Sequence, residues 1–171
     1  MLGMNFDFTS RDVKKLMALR KKILTSKKEK TIANRIRIIR CKKICHRNNA
    51  FIPVKAKINS DVVFPHGLYG IFISQGAVIG KGCTIFHQVT IGSNTLPDSP
   101  GYGAPELGEN VYIGAGAKII GKIHIGNNVR IGANAVVTTD VPDNATVVQE
   151  RSRIIFHENA RNNRFTSFNT N

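Results

Sequence analysis

The chain has 171 residues, 42% hydrophobic and 21% charged, a globular composition with length for one packed domain and an appendage. With no Trp and only 7% aromatics, a core of bulky rings is excluded and Ile, Val and Ala must fill it. The formal net charge of +14 is uneven: residues 1–50 hold fifteen Lys+Arg against three Asp+Glu, whereas residues 51–171 hold ten against eight.

The first fifty residues read as a basic helical segment. Thr9 and Asp12 have the spacing of a capping box, and Val13, Leu16, Met17, Leu19, Ile23 and Leu24 follow at roughly helical intervals. A second helical run carries Ile32, Ile36, Ile39 and Cys41. Two amphipathic helices are expected, packed on the rest of the chain or on copies of themselves. Their charge suits a solvated face, an anionic membrane surface or an acidic polysaccharide, and without a recognisable binding motif nucleic acid is not the expected partner. His46 stands near Cys41 and Cys45, but cysteines at i, i+4 pack one helical face and no fourth ligand is in sight, so no metal is expected. Free thiols in a reducing cytoplasm are the simpler reading of Cys41, Cys45 and Cys83. No stretch approaches the ~18 apolar residues of a membrane span, and the polar start does not read as a signal peptide. A cytoplasmic protein is expected, peripheral at the inner membrane if the basic segment serves that end.

From residue 51 the dominant signal is a six-residue beat. Aliphatic residues recur at Ile73, Ile79, Ile85 and Ile91, and again at Leu107, Ile113, Ile119, Ile125, Ile131 and Val137. Gly often follows directly, as at Gly80, Gly92, Gly108, Gly114, Gly126 and Gly132. A small or β-branched residue stands four places after the aliphatic one, as at Cys83, Val89, Val111, Ala117, Ile123, Val129, Ala135 and Val141. A period of six matches neither an α-helix nor a simple hairpin. It predicts a coil of short strands in which each rung is buried only by its neighbours. The aliphatic residue points inward, the small one fills the corner, and Gly or Asn takes the strained turn. A weaker start of the beat lies at Ile52, Ile58 and Phe64, before the irregular segment Pro65-His66-Gly67-Leu68-Tyr69-Gly70.

Between Ile91 and Leu107 the beat is interrupted by a Pro-, Gly- and Ser-rich stretch, which predicts a loop over 93–106 leaving the coil. Pro142-Asp143-Asn144 reads as the turn that ends the coil, and the end of the tail from Arg161 to Asn171, polar and Asn-rich, is expected to fray. The boundaries are thus 1–50 for the helical segment, 51–145 for the coil and 146–171 for the tail.

The rungs at 78–92 (VIGKGCTIFHQVTIG), 111–121 (VYIGAGAKIIG) and 129–144 (VRIGANAVVTTDVPDN) resemble the hexapeptide-repeat acyltransferases, and among them the serine acetyltransferases and the related O-acetyltransferases of bacterial surface polysaccharides. The resemblance implies a mainly β fold, a left-handed parallel β-helix, a homotrimer with sites between subunits, and acetyl-CoA as co-substrate. It makes His66 the general base, the match to the His that opens the family's segment before the first regular rungs. An imidazole suits the task, since it takes a hydroxyl proton near neutral pH while the oxygen attacks a thioester. The resemblance further implies acceptor binding by His87, Asn94 and Tyr69, and contacts to CoA by Ser93, Ala115, Lys118, Arg130 and Ala133. The two alanines would leave room for the pantetheine arm, and the two cations would meet phosphates.

Three departures from the serine acetyltransferase pattern stand out. The Asp that orients the family's base falls on Phe51, the Asp before the base falls on Pro65, and an Arg-His pair in the loop falls on Gly103-Ala104. Asp61, Asn48, Asn49 or a backbone carbonyl are left as candidates to orient His66. Arg151 and Arg153 replace the family's usual exit from the coil. Without a cation for a carboxylate, the expected acceptor is a sugar hydroxyl of a surface polysaccharide or its precursor. Serine is the alternative acceptor, and a non-catalytic β-helical binding or assembly protein is the other alternative.

Overall fold

The computed structural model describes residues 10–28, 30–150, 154 and 156, so Thr9, Arg151, Arg153 and the tail from Arg161 lie outside the described residues. Two helices come first, α1 (Arg11–Leu24) and α2 (Ile32–Arg47). Twelve strands of two or three residues follow: β1 (Lys57–Ile58), β2 (Phe72–Ile73), β3 (Val78–Ile79), β4 (Thr84–Ile85), β5 (Thr90–Gly92), β6 (Glu106–Leu107), β7 (Tyr112–Ile113), β8 (Lys118–Ile120), β9 (His124–Ile125), β10 (Arg130–Ile131), β11 (Val136–Val137) and β12 (Thr146–Val147).

All the pairings between these strands are parallel, and they form three four-stranded sheets: β2-β5-β8-β11, β1-β3-β6-β9 and β4-β7-β10-β12. These are the first, second and third faces of a coil that visits each in turn. Isolated bridges from Phe51 to Phe72, Val63 to Thr84 and Ile125 to Val141 extend the ladders at both ends. The parallel β-helix with a helical segment before it is the architecture expected from the beat. In each short strand one side chain points out and the next points in. Thus the inward Ile73, Ile79, Ile85, Ile91, Leu107, Ile113, Ile119, Ile125, Ile131 and Val137 are all buried, as are the corner residues Cys83, Val89, Ala117, Val129 and Ala135.

The corner joining the second and third faces is held by a ladder of short polar side chains. Asn110, Asn128 and Asn144 have φ of 55°, 56° and 62° and donate upward, Nδ2 of Asn110 to Oδ1 of Asn128 (2.8 Å) and Nδ2 of Asn128 to Oδ1 of Asn144 (3.1 Å). Beside it, Asn127 Oδ1 accepts from the Glu109 N–H (2.8 Å), and Asp143 Oδ1 accepts from the Asn127 N–H (2.7 Å). These contacts to Asn127 hold the Asp143 carboxyl below its ordinary range. Asn tolerates the left-handed conformation and its amide replaces the missing strand pairing at the turn. This changes the reading of Pro142-Asp143-Asn144: the turn is one more corner of the ladder, and it delivers β12 onto β10 rather than ending the coil. The loop leaves after Gly92 and rejoins at Pro105, since Glu106 already belongs to β6.

The helices close one end of the coil. Ser10, not Thr9, is the N-cap of α1, its Oγ accepting from the Val13 N–H at 3.3 Å. Val13 and Leu16 are buried, and Arg20 is buried too, its guanidinium donating to the carbonyls of Pro53 and of Ala56 (Nη2, 2.6 Å). Desolvation lowers the pKa of that guanidinium, and carbonyl dipoles keep it paired. In α2 the buried residues are Asn34, Cys41, Ile44 and Cys45. Of the apolar run in the sequence, Cys41 packs while Ile32, Ile36 and Ile39 point away from the core, so most of that run is not the face that packs. Burial pushes the Cys41 thiol up to about 11 and raises Cys45 and Cys83 as well, which makes all three poor nucleophiles. Asp12 joins the two helices: it accepts from the Arg47 guanidinium (Nε, 2.6 Å) and from Asn48 Nδ2 (2.8 Å).

Two stability measurements follow from these contacts. Ile119→Ala, in the middle of the inward stack, should lose about 2–5 kcal/mol in urea unfolding. Val136→Ala, on the outer side of a rung, should stay within about 0.5 kcal/mol. The hydrogen bonds from Arg47 hold the Asp12 carboxyl below its usual range, so the folded chain binds that proton more weakly than the unfolded one. The Asp12 contribution is therefore complete above the ordinary carboxylate pKa and is lost as pH falls through the lowered folded value. Asp12→Asn should flatten the acid limb of the stability–pH curve, and an unchanged limb would show that the pairing contributes nothing.

Candidate active site

The corner between the third and first faces brings together two of the histidines singled out in the sequence. From Tyr112 to Lys118 and from Arg130 to Val136, the outward residues that leave one face and enter the next, this corner spans six positions, whereas from Val63 to Phe72 it spans nine. The three surplus residues form an excursion closed by the Gly67 N–H on the Phe64 carbonyl (3.0 Å) and the Ile71 N–H on the Leu68 carbonyl (3.2 Å), with Leu68 buried beneath. Gly67 and Gly70 have φ of 72° and 64°, a region that residues with a Cβ enter at a cost.

His66 stands at the foot of this excursion, exposed, with its Nδ1 2.8 Å from Nδ1 of the half-buried His87. Their ring centroids are 4.9 Å apart, and the Phe86 ring meets His66 edge to face at 5.1 Å. Tyr112 packs against Phe86 in turn, centroids 5.1 Å apart. Two facing Nδ1 atoms hold one proton between them, because two lone pairs or two N–H groups would repel. One ring donates and the other accepts. When His66 donates, its Nε2 presents a lone pair to solvent, the form a general base requires.

The pairing follows from register. Along the first turn each inward residue lies twenty-one positions before its neighbour above, Ile52 under Ile73, Ile58 under Ile79 and Phe64 under Ile85, as the pairing of Val63 with Thr84 shows. His66 plus twenty-one is His87. The weak start of the beat thus contained the signal that joins the two histidines, a link missed when the residues are weighed singly.

The candidates considered for orienting His66 act elsewhere. Asn48 Nδ2 donates to Asp12 and to the Ile44 carbonyl (2.8 Å), while its own carbonyl accepts from the Gly70 N–H (3.1 Å). It braces the backbone of the excursion, not the imidazole. Asp61 Oδ1 accepts from the Gly82 N–H at 3.3 Å, on another corner. Asn49 is an exposed positive-φ residue just past α2.

The other singled-out residues divide between this corner and the loop. Tyr69 is exposed on the excursion, and its carbonyl accepts from the Gln88 N–H (2.8 Å). Ala115 and Ala133 lie above His87 in the same column, tied by the Gly116 N–H on the His87 carbonyl and the Asn134 N–H on the Ala115 carbonyl. Lys118 Nζ donates to the carbonyls of Gln88 (3.0 Å) and Gly116 (2.6 Å), so it bridges two rungs of this corner. Arg130 is exposed on the third face, across the corner from Lys118. Ser93 is half-buried at the root of the loop. Asn94 fastens that loop, exchanging backbone hydrogen bonds with Gly103 (2.9 Å each way) and holding Ser99 Oγ (2.6 Å) and the Leu96 N–H (3.0 Å) with its amide. A separate apolar groove of about 630 Å³ lies between the helices and the first turn, lined by Ile38, Cys41, Phe51 and Pro53, and contains neither histidine.

The pair has a spectroscopic signature. In a ¹⁵N-histidine-labelled chain at neutral pH, one of His66 and His87 should carry its proton on Nδ1 and the other should not. His87→Ala should return His66 to the mixture of tautomers of a free imidazole. Two identical Nε2–H tautomers in the intact chain would contradict the pairing.

Residues 104–139 match the family model described as bacterial transferase hexapeptide (six repeats). A serine acetyltransferase of Synechococcus elongatus is 41% identical over 106 residues, covering 62% of this chain and 42% of that protein. One of Helicobacter pylori is 42% identical over 100 residues, 58% of this chain and 57% of that protein. The chain therefore spans about half the length of the curated relatives it matches. Among solved structures, serine acetyltransferase isoform 3 of Entamoeba histolytica in complex with cysteine superposes with a TM-score of 0.68 at 27% identity, covering 86% of this chain and 50% of that one. A serine acetyltransferase in complex with CoA gives 0.65 at 28% identity, covering 84% and 55%. The coil of this chain is thus a left-handed parallel β-helix that carries bacterial transferase hexapeptide repeats over residues 104–139 and is similar to the corresponding part of the serine acetyltransferases.

Proposed function

We propose that the chain is an acetyl-CoA-dependent O-acetyltransferase in which His66, held by His87, acts as general base. The observation that carries this reading is the 2.8 Å contact between the two imidazoles on a corner of a hexapeptide coil. His66 Nε2 takes the proton of the acceptor hydroxyl as its oxygen forms the bond to the acetyl carbon. The C–S bond then breaks, and the same imidazolium returns the proton to the leaving thiolate. Direct transfer is part of what the resemblance implies, and it is supported by the three cysteines, which are buried with raised pKa values and offer no thiolate to carry the acyl group.

The corner fits a CoA arm. Above His87 the column holds the small side chains Ala115 and Ala133, which leave room beside the rungs for an extended arm, and the rungs stack so closely that a Cβ on the buried Gly114 would lie 2.6 Å from the Ala133 nitrogen. Ser93, Lys118 and Arg130 are the further contacts proposed for CoA, with Lys118 reaching phosphates only if it leaves the Gln88 and Gly116 carbonyls. A homotrimer, with the open corner of one subunit covered by the next, is the assembly this reading adopts. A light-scattering mass of three protomers checks it.

The relatives favour L-serine as acceptor over the sugar hydroxyl expected from the sequence. One observation keeps the sugar as a second reading: residues 93–105 hold no Lys, Arg or His, and Gly103 and Ala104 occupy the positions expected of a carboxylate-binding pair. Tyr69, exposed on the excursion that follows His66, is the residue proposed to meet either acceptor, whereas Asn94 has its amide engaged within the loop.

Thiol release from acetyl-CoA, followed with L-serine and with a panel of acidic and neutral oligosaccharides, separates the acceptors. His66→Ala should lower kcat by about 100- to 10,000-fold with the true acceptor, while acetyl-CoA binding by calorimetry stays near wild type. Turnover with serine supports the first reading, and turnover confined to a saccharide supports the second. Acetyl-CoA binding without turnover on any hydroxyl, or turnover untouched by His66→Ala, would contradict the proposal.

A further inference from the structure

The outward face of α2 has no partner within the described chain. Ile32, Ile36 and Ile39 are spaced i, i+4 and i+7, which places them on one side of the helix, and they are 77%, 46% and 53% exposed. Their side is opposite the buried Cys41, Ile44 and Cys45, so α2 is apolar on two faces, only one of which packs on its own coil. Arg40 borders the exposed stripe on one side, Arg35 and Lys42 border it on the other, and Lys43 continues it toward the C-terminus. The sequence holds no Asp or Glu from Lys30 to Ser60.

We infer that this face seats the protein on an anionic phospholipid surface, with the three isoleucines entering the acyl boundary and the flanking cations meeting headgroup phosphates. An apolar stripe between rows of Lys and Arg, on a helix parallel to the surface, is the geometry that interfacial binding requires. Charge selects this occupant over a second copy of the chain. Two such faces would bring cations against cations, and the described coil residues 51–150, with six Lys+Arg against seven Asp+Glu, carry too little net negative charge to answer them. A soluble polyanion would satisfy the cations but would leave the isoleucines in water. The inference is independent of the acetyl-transfer reading, because the stripe and the His66 corner share no residue.

The test is flotation of the full chain with vesicles of pure phosphatidylcholine and with vesicles containing 30% phosphatidylglycerol, at low and at high salt, with light scattering to follow oligomeric state. Ile32→Ser/Ile36→Ser/Ile39→Ser and Arg35→Glu/Arg40→Glu/Lys43→Glu change only exposed positions, so folding should survive and circular dichroism checks that it does. Binding is expected to the anionic vesicles alone, weakened by salt, and each triple variant should lose at least tenfold in partition coefficient. Acetyl-CoA binding should be unchanged in the isoleucine variant. Three results would overturn the inference: no vesicle binding by wild type, binding that survives loss of the isoleucines, or retention on dextran sulfate unaffected by the isoleucine variant in a chain that ignores vesicles. A change in oligomeric mass in the isoleucine variant, without a change in vesicle binding, would assign the face to a second copy and overturn it too.

Discussion

The structure depends on vertical register. A coil of two-residue strands has no local source of stability, because each rung satisfies its backbone groups and buries its inward side chain only against the rungs above and below. The inward column must therefore hold aliphatic residues of similar size, and every departure from the period must be pushed out at a corner. Two insertions do this, and the last turn is instead shortened, Arg130 pairing with Thr146 sixteen positions on where the turn below it takes eighteen. The loop between Gly92 and Glu106 leaves between the first and second faces, and the excursion after His66 leaves between the third and first. The rigid part of the coil sets the distance between His66 and His87; the irregular part leaves His66 exposed.

This arrangement accounts for the lost carboxylate. In the register of the first turn, the residue above His66 is a histidine, so the imidazole is held by its own kind through the Nδ1 atoms and by the Phe86 ring from the side. A neutral imidazole accepts a hydrogen bond without bringing a fixed negative charge, and it stabilises an imidazolium less than an aspartate does. The pair fixes tautomer and ring orientation, which is the part of the orienting role that geometry alone can supply. The helices contribute from outside. Asp12 gathers Arg47 and Asn48, and the Asn48 carbonyl holds the Gly70 N–H, so the docking of α1 on α2 reaches the backbone that carries His66.

Much of this was legible in the sequence because a six-residue period leaves little freedom: the aliphatic positions and the interrupting loop fall where the period places them, and so do the corner residues except Val141, which a turn two residues short brings onto the ladder beside Ile125. The irregular segment that carries His66 was legible. The imidazole beside it was not, because Asn48, Asn49 and Asp61 were weighed as neighbours, whereas His87 is near only once the twenty-one-residue offset of the first turn is recognised. The role of Pro142-Asp143-Asn144 was missed for a related reason. Proline normally stops a repeat, but here the Asp and Asn that follow it supply the same ladder contacts as Asn127 and Asn128 below. In α2, periodicity identified an apolar face and could not tell which of two would pack. Cys41, Ile44 and Cys45 pack because they meet the first turn of the coil, and Ile32, Ile36 and Ile39 remain outside.

The central claim is that His66 and His87 act as one unit, and a double-mutant cycle on kcat tests it most directly. The account predicts that His87→Ala slows turnover in wild type and has almost no further effect once His66 is Ala, so that the double variant is no slower than His66→Ala alone. Losses that multiply, each histidine costing the same whether or not the other is present, would contradict it and assign the two imidazoles separate roles.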